Sequence, residues 1–179
     1  MNIVGLLLAA GSARRFGSDK LSHNLPHGVA IAVQAARHLR PQVSRVVAVV
    51  KPGALELSRD LAAEGMGASL ACAARAAGPA DGYLVALGDM PFVRPSSIAA
   101  VRDALAAGAP LAAPFWRARR GHPVGIAGRF HAELLALRGD EGAKALLGAG
   151  HRLVKIAVGD PGVIRDIDTP ADLAPPLRI

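Results

Sequence analysis

The chain has 179 residues, 51% of them hydrophobic but only 3% aromatic, and carries a formal charge of +7. That length and composition predict one folded domain over residues 1–179 with an aliphatic core, and exclude a disordered chain. Its 21 Lys and Arg are scattered, with one Trp and one Tyr to stack on bases, so no nucleic-acid partner is expected.

The first predicted element is a strand over residues 3–10, a short continuous apolar run of the kind buried in a parallel sheet. It is too short for a membrane span and lacks the basic flank of a signal peptide, so a cytoplasmic protein with no membrane partner is expected. Val29, Ala32, Val33, Ala36 and Leu39 fall at helical spacing, and Pro41 closes that helix. Residues 46–50 read as a second strand, and residues 54–63 and 69–77 as short helices. A third strand over residues 83–87 runs into Gly88-Asp89-Met90-Pro91. A helix follows over residues 96–107, with Ile98, Val101 and Leu105 on one face. Residues 111–113, 123–127 and 151–158 read as strands, and residues 163–167 as a further extension of the sheet. Phe130, Leu134 and Leu137 mark a helix, and residues 141–147 a shorter one capped by Asp140. Strand and helix alternate, which predicts an α/β fold with a mainly parallel sheet.

In such sheets ligands bind at the carboxyl ends of the strands. After the first strand comes a glycine-rich loop containing Gly11, Arg15, Gly17 and Lys20. Glycine lets backbone approach closely, free N–H groups then point at an anion, and two cations suit a triphosphate. Neither phosphate-loop template fits: Ser18 and Asp19 separate Gly17 from Lys20, and Gly11 and Gly17 do not give G-x-G-x-x-G. An ordinary basic turn explains the loop alone equally well. After the third strand, Asp89 is placed to hold Mg²⁺ through oxygen, although turns favour Asp in any case. Near the C-terminus, Asp166 and Asp168 lie two apart on an apparent strand and share a face, so either is a second metal ligand. Equally, Asp168 or Thr169 caps the helix starting near Pro170.

These stretches together resemble a known family. "LLLAAGSARRFGSDKL" (6–21) is similar to the signature loop of the MobA-like nucleotidyltransferases. "EGMGASL" (64–70), "GDMPFVRP" (88–95), "RGHPVG" (120–125), "RGDEGAKALL" (138–147) and "DIDTPADL" (166–173) follow in the family's order. They resemble the branch of molybdenum cofactor cytidylyltransferases, the MocA-like proteins. The resemblance implies a Rossmann-like three-layer sandwich of the nucleotide-diphospho-sugar transferase type, and transfer of a nucleotide from an NTP to a phosphomonoester with release of pyrophosphate. It implies that Leu8, Ala9, Ala10, Gly11, Ser12, Arg15 and Lys20 bind the nucleotide. Gly67 and Ser69 lie near base and ribose, and Asp89 holds Mg²⁺ with Asp168 or Asp166. Arg15, Lys20 and Asp89 are the implied catalytic residues. His122, Asp140 and Lys144 fall in motifs near the acceptor. The implied partners are CTP or another NTP, a molybdopterin-type or other small phosphorylated acceptor, and a molybdoenzyme or its maturation factor. "LAAG" at residues 8–11 leans toward CTP. Residues 57–66 leave no room for a strand that relatives carry there, which implies either a smaller sheet or further residues at that point that this sequence lacks.

The attacking phosphate is already an anion, so alignment and charge neutralisation suffice, in keeping with a loop rich in Gly, Arg and Lys. A serine hydrolase is disfavoured: "GMGASLA" has Ala71 where G-x-S-x-G needs glycine, so Ser69 is read as a helix cap. A sugar-phosphate nucleotidyltransferase of the same fold, and a non-catalytic chaperone for a molybdoenzyme, remain as alternatives. Retention of Lys20 and Asp89 favours catalysis. Cys72 reads as core, and Trp116 with Arg117, Arg119 and Arg120 as a solvated loop.

Overall fold

The computed structural model describes residues 1–10, 20–50, 65–139, 142–143, 146, 148 and 150–174. Ile3–Ala9 forms β1, buried along its whole length. It is buried because it lies between two parallel neighbours, β2 (Arg45–Val50) and β3 (Gly82–Leu87). A strand with no solvent face has no reason to alternate, which is why its sequence is continuously apolar.

β4 (Leu111–Trp116) turns back through Arg117 and Ala118, both in the left-handed region (φ 45° and 64°), into the short β5 (Arg119–Arg120). β6 (Val124–Ala127) fits between β3 and β4 and runs antiparallel to both, whereas β7 (Leu153–Ala157) lies parallel on the other edge of β4. The sheet order is β2-β1-β3-β6-β4-β5 with β7 on β4, a mixed sheet that is mainly parallel. Because β6 intervenes antiparallel, β3 and β4 point the same way and their carboxyl ends share one rim.

Helices cover both faces. α1 (Ile31–Leu39) and α3 (Pro95–Ala106) pack with Leu7, Leu84 and Ala112 on one side. α2 (Met66–Ala77) and α4 (His131–Ala136) pack with Leu6, Val85 and Leu111 on the other. The result is the expected three-layer α/β arrangement. Among the described residues no helix is long and apolar enough to cross a membrane.

Four expectations are corrected. Residues 163–167 are not a strand: Pro161–Ile164 is a 3₁₀ turn capped by Asp160, whose side chain accepts from the Gly162 N–H. That run meets neighbouring loops backbone to backbone, since a Cβ on Gly162 would lie 2.2 Å from the Phe92 carbonyl oxygen. Asp166 and Asp168 therefore do not sit on a strand. The buried face of α1 is Ile31, Ala35 and Leu39, and Val33 points outward at 45% exposure. Ser69 does not cap α2; it sits inside the helix and its hydroxyl donates to the Gly65 carbonyl one turn earlier. Cys72 packs, partly buried, against the α2-side core as expected. The helices expected over residues 54–63 and 141–147 lie wholly or largely outside the described residues.

Candidate active site

β1 and β3 are neighbours and parallel, so the segments leaving them emerge together. The Gly88 N–H donates to the Leu8 carbonyl at 2.8 Å, and a Cβ on Gly88 would meet the Ala9 Cβ at 2.9 Å. Glycine at this position lets the end of β3 close onto β1. Asp89 is thereby placed beside Ala9 and Ala10, where the glycine-rich loop begins.

Lys20 opens a 3₁₀ turn and is only 7% exposed. Its ammonium donates to Asp89 Oδ2 at 3.0 Å, to Asp168 Oδ1 at 3.1 Å and to the Ile167 carbonyl at 2.8 Å. An ammonium has three donors, and all three are engaged. The knot is closed by the Ile167 N–H, which donates to the Asp89 carbonyl at 2.9 Å. Beneath it Leu21, Leu25, Ile31, Val50 and Ile167 form a small apolar cluster with Ala9. Burial opposes the charge on Lys20, but the hydrogen bonds and charges of Asp89 and Asp168 outweigh it and hold the ammonium above the ordinary lysine range. The carboxylates stay open, with side chains 25% and 53% exposed for Asp89 and Asp168.

The two readings of the C-terminal motif separate cleanly. Thr169 caps the 3₁₀ turn Pro170–Leu173, forming a capping box in which Asp172 accepts from the Thr169 N–H and hydroxyl. Capping thus falls to Thr169, leaving Asp168 free to meet Lys20. Asp166 is exposed, and among the described residues its side chain is not one of the acceptors of Lys20.

His122 stands at the root of the β4–β5 hairpin. Its N–H donates to the Val163 carbonyl at 2.8 Å, and a Cβ on the preceding Gly121 would lie 2.2 Å from that same oxygen. Burial pushes the imidazole pKa down; the Arg120 charge adds to this, while the Val85 carbonyl and Asp89 oppose it. Folding therefore favours the neutral imidazole of His122, and the sign of its pH dependence follows. In the unfolded chain it titrates near 6.5 and in the native state lower, so stability is whole above pH 6.5 and falls as protons bind the unfolded chain first. Urea melts of His122→Asn should remove up to about 1.4 kcal/mol per pH unit of slope just below that value. Parallel profiles for wild type and variant would show that another group carries the acid sensitivity.

Of the other expected site residues, Leu8 and Ala9 end β1, with Ala10 partly exposed beyond them. Gly67 and Ser69 are buried in the first turns of α2. The Gly67 N–H donates to the Gly139 carbonyl at 2.6 Å, and a Cβ there would sit 2.5 Å from the Arg138 carbonyl oxygen. Glycine at 67 thus seats the 138–139 turn directly on α2. Gly11, Ser12, Arg15, Asp140 and Lys144 lie outside the described residues. The Ile167 carbonyl, the third acceptor for Lys20, had no signal in the sequence, because a backbone oxygen leaves none. Asp160 was also missed; it is 2% exposed and accepts from the Arg94 N–H and the Ser97 hydroxyl, pinning β7's exit to the start of α3.

Two carboxylates sharing one cation are hard oxygen donors of the type that suits Mg²⁺ or Mn²⁺. Among the described residues no three His, Cys, Asp or Glu side chains gather as a metal cage. The donor set therefore fits a cation that takes one or two carboxylates and completes its shell with phosphate and water.

The fold has counterparts in solved structures. Rv0371c from Mycobacterium tuberculosis H37Rv aligns at a TM-score of 0.79 and 26% identity, over 96% of this chain and 94% of that one. The same protein in complex with manganese aligns at 0.75 and 24%, over 96% of each chain. Molybdopterin-guanine dinucleotide biosynthesis protein A from Archaeoglobus fulgidus aligns at 0.69 and 21%, over 95% of this chain and 94% of that one. No match was found among curated proteins. A family profile described as MobA-like NTP transferase domain matches residues 5–154, which span β1 through the start of β7 and include Lys20 and Asp89. The chain belongs to the MobA-like NTP transferase family and is a nucleotidyltransferase.

Proposed function

We propose that the protein transfers CMP from CTP to a phosphomonoester acceptor of the molybdopterin type, releasing pyrophosphate, as a cytoplasmic, single-domain enzyme. The observation that carries the transfer reading is the Lys20–Asp89–Asp168 cluster at the end of the first-strand loop. The lean to CTP rests on Leu8-Ala9-Ala10-Gly11, and the acceptor class on the order of the later motifs. An acceptor phosphate oxygen attacks the α-phosphorus; the new P–O bond forms as the bond to the α–β bridging oxygen breaks, and pyrophosphate leaves with that electron pair. Gly11, Ser12 and Arg15 bind the triphosphate, and Lys20 neutralises charge that grows on the leaving group. Asp89 and Asp168 hold Mg²⁺, which when bound neutralises and aligns the phosphates. Gly67 and Ser69 shape the base side, and His122, Asp140 and Lys144 line the acceptor side. No side chain here need act as a strong base, because the nucleophile is already ionised. The protein's downstream partner in this reading is a molybdoenzyme or its maturation factor.

The test is pyrophosphate release with Mg²⁺ and each of CTP, GTP, ATP and UTP, with and without molybdopterin. Release with CTP only when molybdopterin is present is the expected result. Release with another nucleotide or a sugar phosphate would reassign the substrate while keeping the site. Nucleotide binding without release from any acceptor would favour a chaperone.

A further inference from the structure

The β4–β5 hairpin stands on the same rim as Asp89 and presents charges that the cluster around Lys20 does not use. Phe115 pairs with Arg120 and Trp116 with Arg119. Residues directly opposite in an antiparallel pair project to one face, so Phe115 and Arg120 share a face and Trp116 and Arg119 take the other. Leu111, two pairs of residues before Phe115, packs with the α2-side core, whereas Trp116 packs with the α1-side core. Phe115 and Arg120 therefore look to the α2 side. Lys155 joins them from β7: its ammonium lies 5.5 Å from the Phe115 ring centroid. Arg120 and Lys155 are exposed. Among the described residues the ion pairs involve Lys20, Arg94 and Arg102, so neither of these two cations faces a carboxylate.

The hairpin root is fixed rather than loose. Gly121 donates to the Pro114 carbonyl at 2.8 Å and lies against the Val163 backbone, and the run from Val163 leads directly to Ile167 and Asp168. The strap that carries Asp168 thus also seats Arg120. β4 lies two strand spacings from β3, about 10 Å, within reach of a small ligand extending from Asp89.

We propose that Arg120, paired across the strands with Phe115, and Lys155, set over the Phe115 ring, form on the α2 side of the rim the seat for an anionic group of the acceptor. This rests on the transfer reading above and deepens it by naming the residues that hold the anionic oxygens of the acceptor. Arg120 supplies a planar fork for two oxygens and Lys155 a point charge beside the apolar Phe115 ring.

The test titrates inorganic phosphate into the protein at constant ionic strength, with chloride as control, and follows backbone amide shifts of residues 115–121 by NMR. Wild type should show a saturable response to phosphate alone. Arg120→Gln and Lys155→Gln should each weaken it about tenfold, the scale of one charge-assisted contact. Arg119→Gln removes the same charge from the opposite face and should change it less than about twofold if the site is specific rather than a general field. No saturable response in wild type, or equal weakening by Arg119→Gln, would overturn the proposal. A parallel titration with Mg²⁺ and CTP, read at Ala9 and Lys20, separates the two questions. Failure there would remove the transfer reading, while the phosphate titration would still decide the anion seat.

Discussion

Lys20→Met is expected to lower turnover by about 10²–10³-fold, the usual cost of removing one preorganised charge from a transferring phosphate. The stem of Lys20 is buried, so methionine keeps its volume, whereas alanine would add a cavity to the effect. The variant leaves Asp89 and Asp168 side by side without their shared cation, and like charges then disfavour each other. Both carboxylates reach solvent, so water covers much of that loss and the fold should weaken by only about 1–2 kcal/mol. The pH signature distinguishes this from a packing defect. A lysine whose native pKa is raised contributes stability in full below its unfolded value, about 10.4, and loses it as pH rises through the native value. The stability gap between wild type and Lys20→Met should therefore stay constant from neutral pH to about 9 and close only in strong alkali. A gap that closes earlier would mean that the pairing does not hold the charge. Wild-type turnover in the variant would remove Lys20 from the mechanism.

How far the site was legible depends on which physical signal each part left. β1 and β3 could be read because a strand covered on both faces is continuously apolar, and α3 because Ile98, Val101 and Leu105 repeat at helical spacing. Lys20, Asp89 and Asp168 each stood out beside a strand end or turn. That they meet in one knot is a property of topology: parallel β1 and β3 bring residues 69 apart in sequence to 3.0 Å. The family resemblance assigns Lys20 to phosphate and the two aspartates to metal, and the fold brings all three side chains together. Residues 163–167 misled because Val163, Ile164 and Ile167 are apolar like a strand, yet the Val163 carbonyl is taken by His122 and Gly162 abuts the Phe92 backbone. The outward Val33 misled for the opposite reason: it matched the period of α1, but Ile31 and Ala35 hold the buried positions. The β4–β5 hairpin read as a solvated loop because register alone decides which arginine shares a face with Phe115.

Asp89→Asn is expected to cost turnover as heavily as Lys20→Met, about 10²–10³-fold, while barely altering stability. The amide oxygen can still accept from Lys20, and the Ile167 N–H still donates to the residue 89 carbonyl, so the knot survives without its charge. What is lost is a hard anionic oxygen for a divalent cation and half of the charge that positions Lys20. A double variant tells these apart. If Asp89 acts only by holding Lys20 in place, adding Asp89→Asn to Lys20→Met should change turnover little, since the residue being positioned is already gone. If Asp89 holds Mg²⁺ in its own right, the two losses should multiply, and the Mg²⁺ concentration for half-maximal rate should rise in Asp89→Asn but not in Lys20→Met. The partly open Asp89 favours multiplication: a residue needed only as a clamp gains nothing from keeping a quarter of its side chain open, whereas a ligand for a metal–nucleotide complex must present an oxygen outward. Asp168→Asn supplies the internal comparison. At 53% exposure its bond to Lys20 is the weaker of the two restraints, so its loss should fall well short of that at Asp89 if both act through Lys20, and approach it if both hold the cation.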